Sequence, residues 1–152
     1  MIEPIFTFGL PDDAENIRQE VFTLEQGFSR EIDIDEHDKE AWHLVLYLDG
    51  KPIATGRVFA ETPETYHIGR VAVLKEYRGQ KVGSYLVKFL ITKARSNGAR
   101  RVVLGSQLDK EVFYKKLGFK RILGENIYEE EGVPHVLMEK TLEKRKISAK
   151  HV

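Results

Sequence analysis

Tyr77-Arg78-Gly79-Gln80-Lys81-Val82-Gly83-Ser84 lies between two segments of different periodicity. Before it, Tyr66 to Leu74 mixes β-branched and aromatic residues with small ones, and Val71 and Val73 alternate with Ala72 as in a strand. After it, Val82, Leu86, Phe89 and Leu90 form one helical stripe, which Tyr85, Val87 and Ile91 widen. A helix with so wide an apolar face is covered on more than one side, and Asn97-Gly98 ends it. Strand, glycine-containing turn and helix N-terminus, in that order, leave backbone N–H groups unpaired and aimed outward. That arrangement suits an anion such as phosphate.

A chain of 152 residues is long enough for one domain with a real core and short for two. With 41% hydrophobic and 32% charged residues it reads as globular and soluble. Lys plus Arg, 24, cancels Asp plus Glu, 24, which argues against nucleic acid as the main partner. The absence of cysteine removes disulfides, thiolate metal sites and a cysteine nucleophile. No apolar stretch is long enough to span a bilayer, and Met1 to Leu10 lacks a basic leader, so no membrane partner and a cytoplasmic location are expected.

Taken in order, Ile2 to Phe8 reads as an edge strand ended by Gly9 and Pro11. Asp12 or Asp13 can cap a helix running to about Gln26, with Ile17, Val21 and Leu24 on one face. From Ser29 to Glu40 the chain is strongly acidic, either a solvated loop or short helix, or a set of carboxylates that attracts a cationic substrate. His43 to Leu48, Asp49-Gly50 and Pro52 to Ala60 form a hairpin on a two-residue turn. A turn through Pro63 leads to the strand that ends near Leu74, giving three antiparallel strands in a row. Later, Arg101 to Leu104 reads as a buried strand, Asp109 can cap a helix through Leu117, and Phe119 to about Leu123 returns as a strand. An acidic turn, Glu129 to Gly132, precedes a last strand, Pro134 to Lys140. The expected unit is a single domain over 1–142, followed by a basic tail, 143–152, with Lys144, Arg145, Lys146 and Lys150.

Three motifs in this order resemble the GCN5-related N-acetyltransferase (GNAT) superfamily. Arg78-Gly79-Gln80-Lys81-Val82-Gly83 is similar to its Arg/Gln-x-x-Gly-x-Gly/Ala pyrophosphate loop, with Lys81 where the first glycine usually stands. If residue 81 needs a positive φ, lysine carries strain there. Phe113-Tyr114 through Gly118-Phe119 is similar to the Phe-Tyr-x-x-x-Gly-Phe segment of that superfamily. Val21-Phe22, Glu25-Gln26, Asp33, Asp35, the Ala41 to His43 segment, Gly69 to Val73 and Gly132-Val133-Pro134-His135 together look like its ElaA/YjcF-type branch.

The resemblance implies an α/β (α+β) fold, the GNAT acyl-CoA N-acyltransferase fold. Its mixed, strongly bent central sheet has about seven strands flanked by about four helices and splits between the fourth and fifth strands. It implies acetyl-CoA in the split, with the pantetheine arm on Val71, Ala72 and Val73 and the pyrophosphate on Arg78, Gly79, Gln80, Lys81, Val82, Gly83 and Ser84. It also implies transfer of the acetyl group to a primary amine of a small molecule or peptide by direct attack in a ternary complex, with no metal. Homodimers are common in the family. From another class, the same fold can serve as a non-catalytic acyl-CoA-binding or protein-interaction module.

The chemistry can be sized. Freeing an amine of pKa about 10.4 at pH 7 costs roughly 4 to 5 kcal/mol, so a base or water chain must take its proton. A phenol near pKa 10 protonates a thiolate near 8.5 uphill by roughly 2 kcal/mol unless the site corrects it. By resemblance Tyr114 is the candidate acid, against a packing role beside Phe113, Leu117 and Phe119. His135 is the first candidate for base and acceptor contact, against a strand-bracing role. Glu25 can act through water. Gln107 can bond cofactor or acceptor, or face a loop, and Arg70 is a cleft residue or an exposed strand arginine. His43 and His67 read as structural.

Overall fold

The computed structural model describes residues 1–143, so the tail beyond Glu143 lies outside the described residues. In chain order the elements are β1 (Ile2–Phe8), α1 (Asp12–Arg18), a π-helical continuation (Gln19–Glu25), α2 (Arg30–Asp33), a 3-10 turn (Glu36–Glu40), β2 (Trp42–Leu48), β3 (Lys51–Ala60) and β4 (Thr65–Val73). A 3-10 turn (Lys75–Tyr77), α3 (Val82–Ser96), β5 (Arg101–Gln107), a 3-10 turn (Leu108–Lys110), α4 (Glu111–Lys116), β6 (Lys120–Arg121), β7 (Tyr128–Glu130) and β8 (Val133–Thr141) complete it. The strands form one 8-stranded sheet in the order β1-β2-β3-β4-β5-β8-β6, with β7 on β8. The strand beyond the expected seven is β7. The acidic stretch before Gly132 folds as a hairpin because Glu131 and Gly132 take φ of 47° and 78°, the left-handed pair of a tight primed turn.

Two helices sandwich the middle of the sheet. Leu44 and Leu46 of β2 face α3, whose stripe Val82, Leu86, Val87, Leu90, Ile91 and Ala94 is buried, while Val45 faces Ala14, Ile17 and Val21 of the first helix. Burial of a leucine such as Leu86 or Leu90 stabilises by roughly 2–3 kcal/mol. Gly56 of β3 permits this approach, since a Cβ there would lie 2.7 Å from Leu90 Cδ1.

Two expectations about helices are corrected. Leu24 is 80% exposed, because beyond Arg18 the helix widens to i→i+5 bonding, as in Gln26 N–H to Val21 O, and the wider turns rotate Leu24 off the buried face. Neither Asp12, Asp13 nor Asp109 caps a helix: the N-cap residues are Pro11 and Lys110, without side-chain caps.

The sheet splits between its fourth and fifth strands, as expected. β4 and β5 run parallel and pair only from Thr65↔Arg101 to His67↔Val103. Beyond that β4 stays with β3 up to Ala54↔Val73, while β5 stays with β8 up to Gln107↔His135. The cause is local. Between Arg57↔Gly69 and Thr55↔Ala72 the register of β4 slips, and Arg70 there takes φ 50°, a bulge that bends the strand away from its neighbour.

Candidate active site

At the end of β4 the backbone turns through Gly79 (φ 78°) and Lys81 (φ 65°, ψ 11°) into α3. The first helical bond there is Tyr85 N–H to Lys81 O at 3.1 Å, and no side chain caps the terminus. The N–H groups of Val82, Gly83 and Ser84 therefore point outward, with no acidic residue in the first turn to compete for them. Arg78, expected at a phosphate, donates through Nε to Val73 O (2.9 Å) and through both Nη atoms to the carboxylate of Glu25 (2.5 and 2.8 Å). That pair holds Glu25 below its ordinary carboxylate range. Glu25 thus sits beside the phosphate turn, lining a shallow hollow with Leu74, Lys75 and Glu76, and is not brought together with Tyr114 and His135.

The split itself opens into a cleft of about 1060 Å³ whose walls include Arg70, Val71, Gln107, Tyr114 and His135. Tyr114 reaches it from α4, edge-on to Phe113 and Phe119 (5.0 and 5.8 Å), and burial pushes its phenol well above the ordinary value. Gln107, at the end of β5, donates to Gln26 Oε1 at 3.0 Å, joining the first helical segment to the far side of the split. His135 is 5% exposed, with Nδ1 2.8 Å from Val133 O and its ring stacked on Tyr128 at 5.6 Å. Tyr128 and Glu130 line the same cleft and escaped the sequence reading. The alternation of Tyr128 and Glu130 before a Glu-Gly turn was their signal, overshadowed by the charge of the stretch.

The structure divides the acidic stretch: short helical turns form over Arg30–Asp33 and Glu36–Glu40, Glu31, Glu36 and Glu40 are exposed as the solvated reading expects, and Asp33, Asp35 and Asp38 are paired with arginines. Arg18, 1% exposed, binds Asp33 Oδ2 through Nε (3.1 Å) and Asp38 Oδ1 and Oδ2 through its Nη atoms (2.8 and 3.1 Å). Arg57 binds Asp35 through both Nη atoms (2.6 and 2.8 Å) and Asp38 (2.8 Å). Arg70 adds bonds to Asp33 O (3.0 Å) and Asp35 (3.2 Å). Three arginines thus neutralise three aspartates between the first helix and the bulged strand. Burial opposes the charge on Asp38, yet the Arg18 bond and the charges of Arg18 and Arg57 outweigh it and keep the group far below its usual range. The sequence signal was an arginine, Arg57, inside the continuously buried run Ile53–Phe59. Such a residue requires a carboxylate partner.

His43 and His67 are each held by partners in the packed chain. His43 is buried with Nε2 3.0 Å from Asp38 O, and His67 stacks on Phe59 while Nδ1 meets Glu61 Oε1 at 2.6 Å. Among the described residues no group of His, Asp and Glu could hold a metal ion.

Known proteins resemble this chain in sequence and fold. The uncharacterized N-acetyltransferase YjcF of Bacillus subtilis is 37% identical over 129 residues, 84% of this chain and 90% of its own. The crystal structure of Escherichia coli ElaA superposes with a TM-score of 0.79 at 30% identity, covering 92% of this chain and 99% of that one. A GNAT family acetyltransferase of Elizabethkingia anophelis, solved with acetyl-CoA bound, shares the fold at 20% identity and a TM-score of 0.68, covering 93% and 97% of the two chains. A family model described as acetyltransferase (GNAT) domain matches residues 11–142, and with relatives of this similarity the chain belongs to the GNAT acetyltransferase family.

Proposed function

We propose that the protein is an acetyl-CoA-dependent N-acetyltransferase that acetylates a primary amine of a small molecule or peptide by direct attack in a ternary complex. The observation that carries this reading is that the β4–β5 split opens a cleft lined by the Tyr114 phenol, while α3, which follows β4 in the chain, begins with an uncapped N-terminus. The residues present fit the cosubstrate. No described strand pairs with the split side of β4 beyond His67, so the backbone of Val71, Ala72 and Val73 can take the pantetheine amides as an added strand would. Gly79 to Ser84 present amides to the pyrophosphate, with Arg78 and Lys81 as nearby cations. Arg78 must exchange Glu25 for phosphate to take part. Gln107 borders the acyl end.

Acetyl-CoA supplies an activated thioester. Burial disfavours the Tyr114 phenolate and so makes the phenol a weaker acid, and the transfer to sulfur needs the same pocket to raise the proton affinity of the forming thiolate as well. His135 faces the acceptor side of the cleft and takes the amine proton. Arg70 shapes the site through the bulge. One domain over 1–142, in the cytoplasm, is sufficient for all of this.

The test is thiol release from acetyl-CoA with a panel of primary amines, alongside acetyl-CoA binding by calorimetry. We expect turnover, and for Tyr114→Phe a kcat lowered by about 10²-fold with little change in acetyl-CoA affinity. Tight acetyl-CoA binding without turnover on any amine would instead support a non-catalytic binding module.

A further inference from the structure

Val133 sets the tautomer of His135. Its carbonyl accepts from Nδ1 at 2.8 Å, so the neutral ring carries its proton on Nδ1 and bares the lone pair of Nε2. Glu130 Oε2 lies 3.7 Å from that nitrogen. With the ring neutral, two acceptors face each other at the cleft, a pair that a donor of two N–H bonds can bridge. The ring is held in place by Tyr128, whose hydroxyl occupies the space that a Cβ on Gly105 would fill. Glu130, with 56% of its side chain exposed, can adjust to what arrives.

An alkylammonium meets these demands. A nitrogen at about 2.8 Å from each acceptor, the length of a charge-assisted bond, sees the 3.7 Å pair under an angle of roughly 80°, which two N–H bonds of a tetrahedral nitrogen can serve. We propose that Glu130 and His135 Nε2 clamp the ammonium of the acceptor, so that the acceptor is an aliphatic amine that arrives charged, and that Glu130 is a substrate-binding residue. The chemistry after binding rests on the acetyl-transfer reading. One N–H proton passes to Nε2, and the electron pair of that bond stays on nitrogen and attacks the thioester carbon. The imidazolium is left paired with Glu130. The C–S bond then breaks, sulfur takes the Tyr114 proton and the acylated nitrogen loses its second N–H proton to solvent, while exchange with solvent returns one proton to Tyr114 and removes one from His135, so that one proton is released overall. Asp33, Asp35 and Asp38 are engaged by arginines, so the carboxylate beside His135 Nε2 that can meet a cation is Glu130. Other titratable groups at this corner include Tyr128 and Glu129 on the same hairpin, Glu131 in its turn, and Lys110 and Tyr114 on the cleft wall.

The clamp is tested on the full chain by ¹⁵N NMR of its histidines, with methylammonium as probe, methanol as the neutral control of like size and sodium chloride matching ionic strength. The expected result is a neutral His135 ring that carries its proton on Nδ1 and whose Nε2 resonance moves with methylammonium and not with methanol. Glu130→Gln should weaken that response by about tenfold. In turnover the same variant should raise KM for an alkylamine by about tenfold and move the acidic limb of kcat/KM to lower pH, because the imidazolium loses its counter-ion. An Nε2 that is already protonated, or a response identical in Glu130→Gln, overturns the clamp. Turnover with an Nε2 blind to methylammonium sinks the clamp alone. An ammonium bound there with no thiol release on any amine leaves the clamp standing and sinks the acetyl-transfer reading.

Discussion

Arg70 and Lys81 both sit at positive φ, 50° and 65°, where a side chain costs roughly 1 kcal/mol or more. Arg70 recovers that cost through its bonds to Asp33 and Asp35, and the bulge it makes opens the cleft. Lys81 stands at the N-cap of α3, where glycine would adopt the same backbone freely. The sequence raised this strain as a condition on the backbone; the turn meets the condition. We therefore expect Lys81→Gly to raise stability by about 1 kcal/mol in urea titrations and to bind CoA equally well or better. A loss of affinity at low salt that vanishes at high salt would show that the cation, rather than the backbone, matters there.

Among the elements, the hairpin β2–β3 was legible because its turn needs two left-handed residues, and Asp49-Gly50 supplies them at φ 49° and 83°. The β4–turn–α3 unit was legible for a similar reason, since periodicity and glycine placement are local properties. The segment from Arg30 to Glu40 was not. Its carboxylates find partners on α1, β3 and β4, residues 15 to 37 positions away, and no local pattern encodes such pairing. The energetic consequence belongs to that element. Arg18→Met should leave Asp33 and Asp38 buried and under-compensated, costing about 3–5 kcal/mol in equilibrium unfolding. A loss under 1 kcal/mol would mean that water reaches the network.

For the whole molecule, acid should act in two stages. Burial pushes the His43 imidazole down more than the Asp38 contacts push it up. The unfolded chain then takes up a proton near pH 6.5 that the folded one refuses, and stability falls as pH drops below that point. Asp35 and Asp38 have folded values below the unfolded value near 3.9, because their arginines outweigh the burial that opposes their charge. Their stabilisation is present above about pH 4 and is lost as pH falls further, so the curve steepens. Urea midpoints measured from neutral pH downward should show both limbs, and His43→Gln should flatten the upper one only.

By itself the sequence determined the order of the main elements apart from β7, the hairpin, the strand–turn–helix unit of β4 and α3, and the motifs that led to Tyr114 and the GNAT family. All of these depend on neighbours within a few residues, through turn geometry and side-chain period. Only the tertiary structure decided where charges go: Glu25 to Arg78, and Asp33, Asp35 and Asp38 to buried arginines. A charge pairs with whatever the packed chain brings within a few ångströms, and Coulomb attraction carries no memory of separation along the sequence.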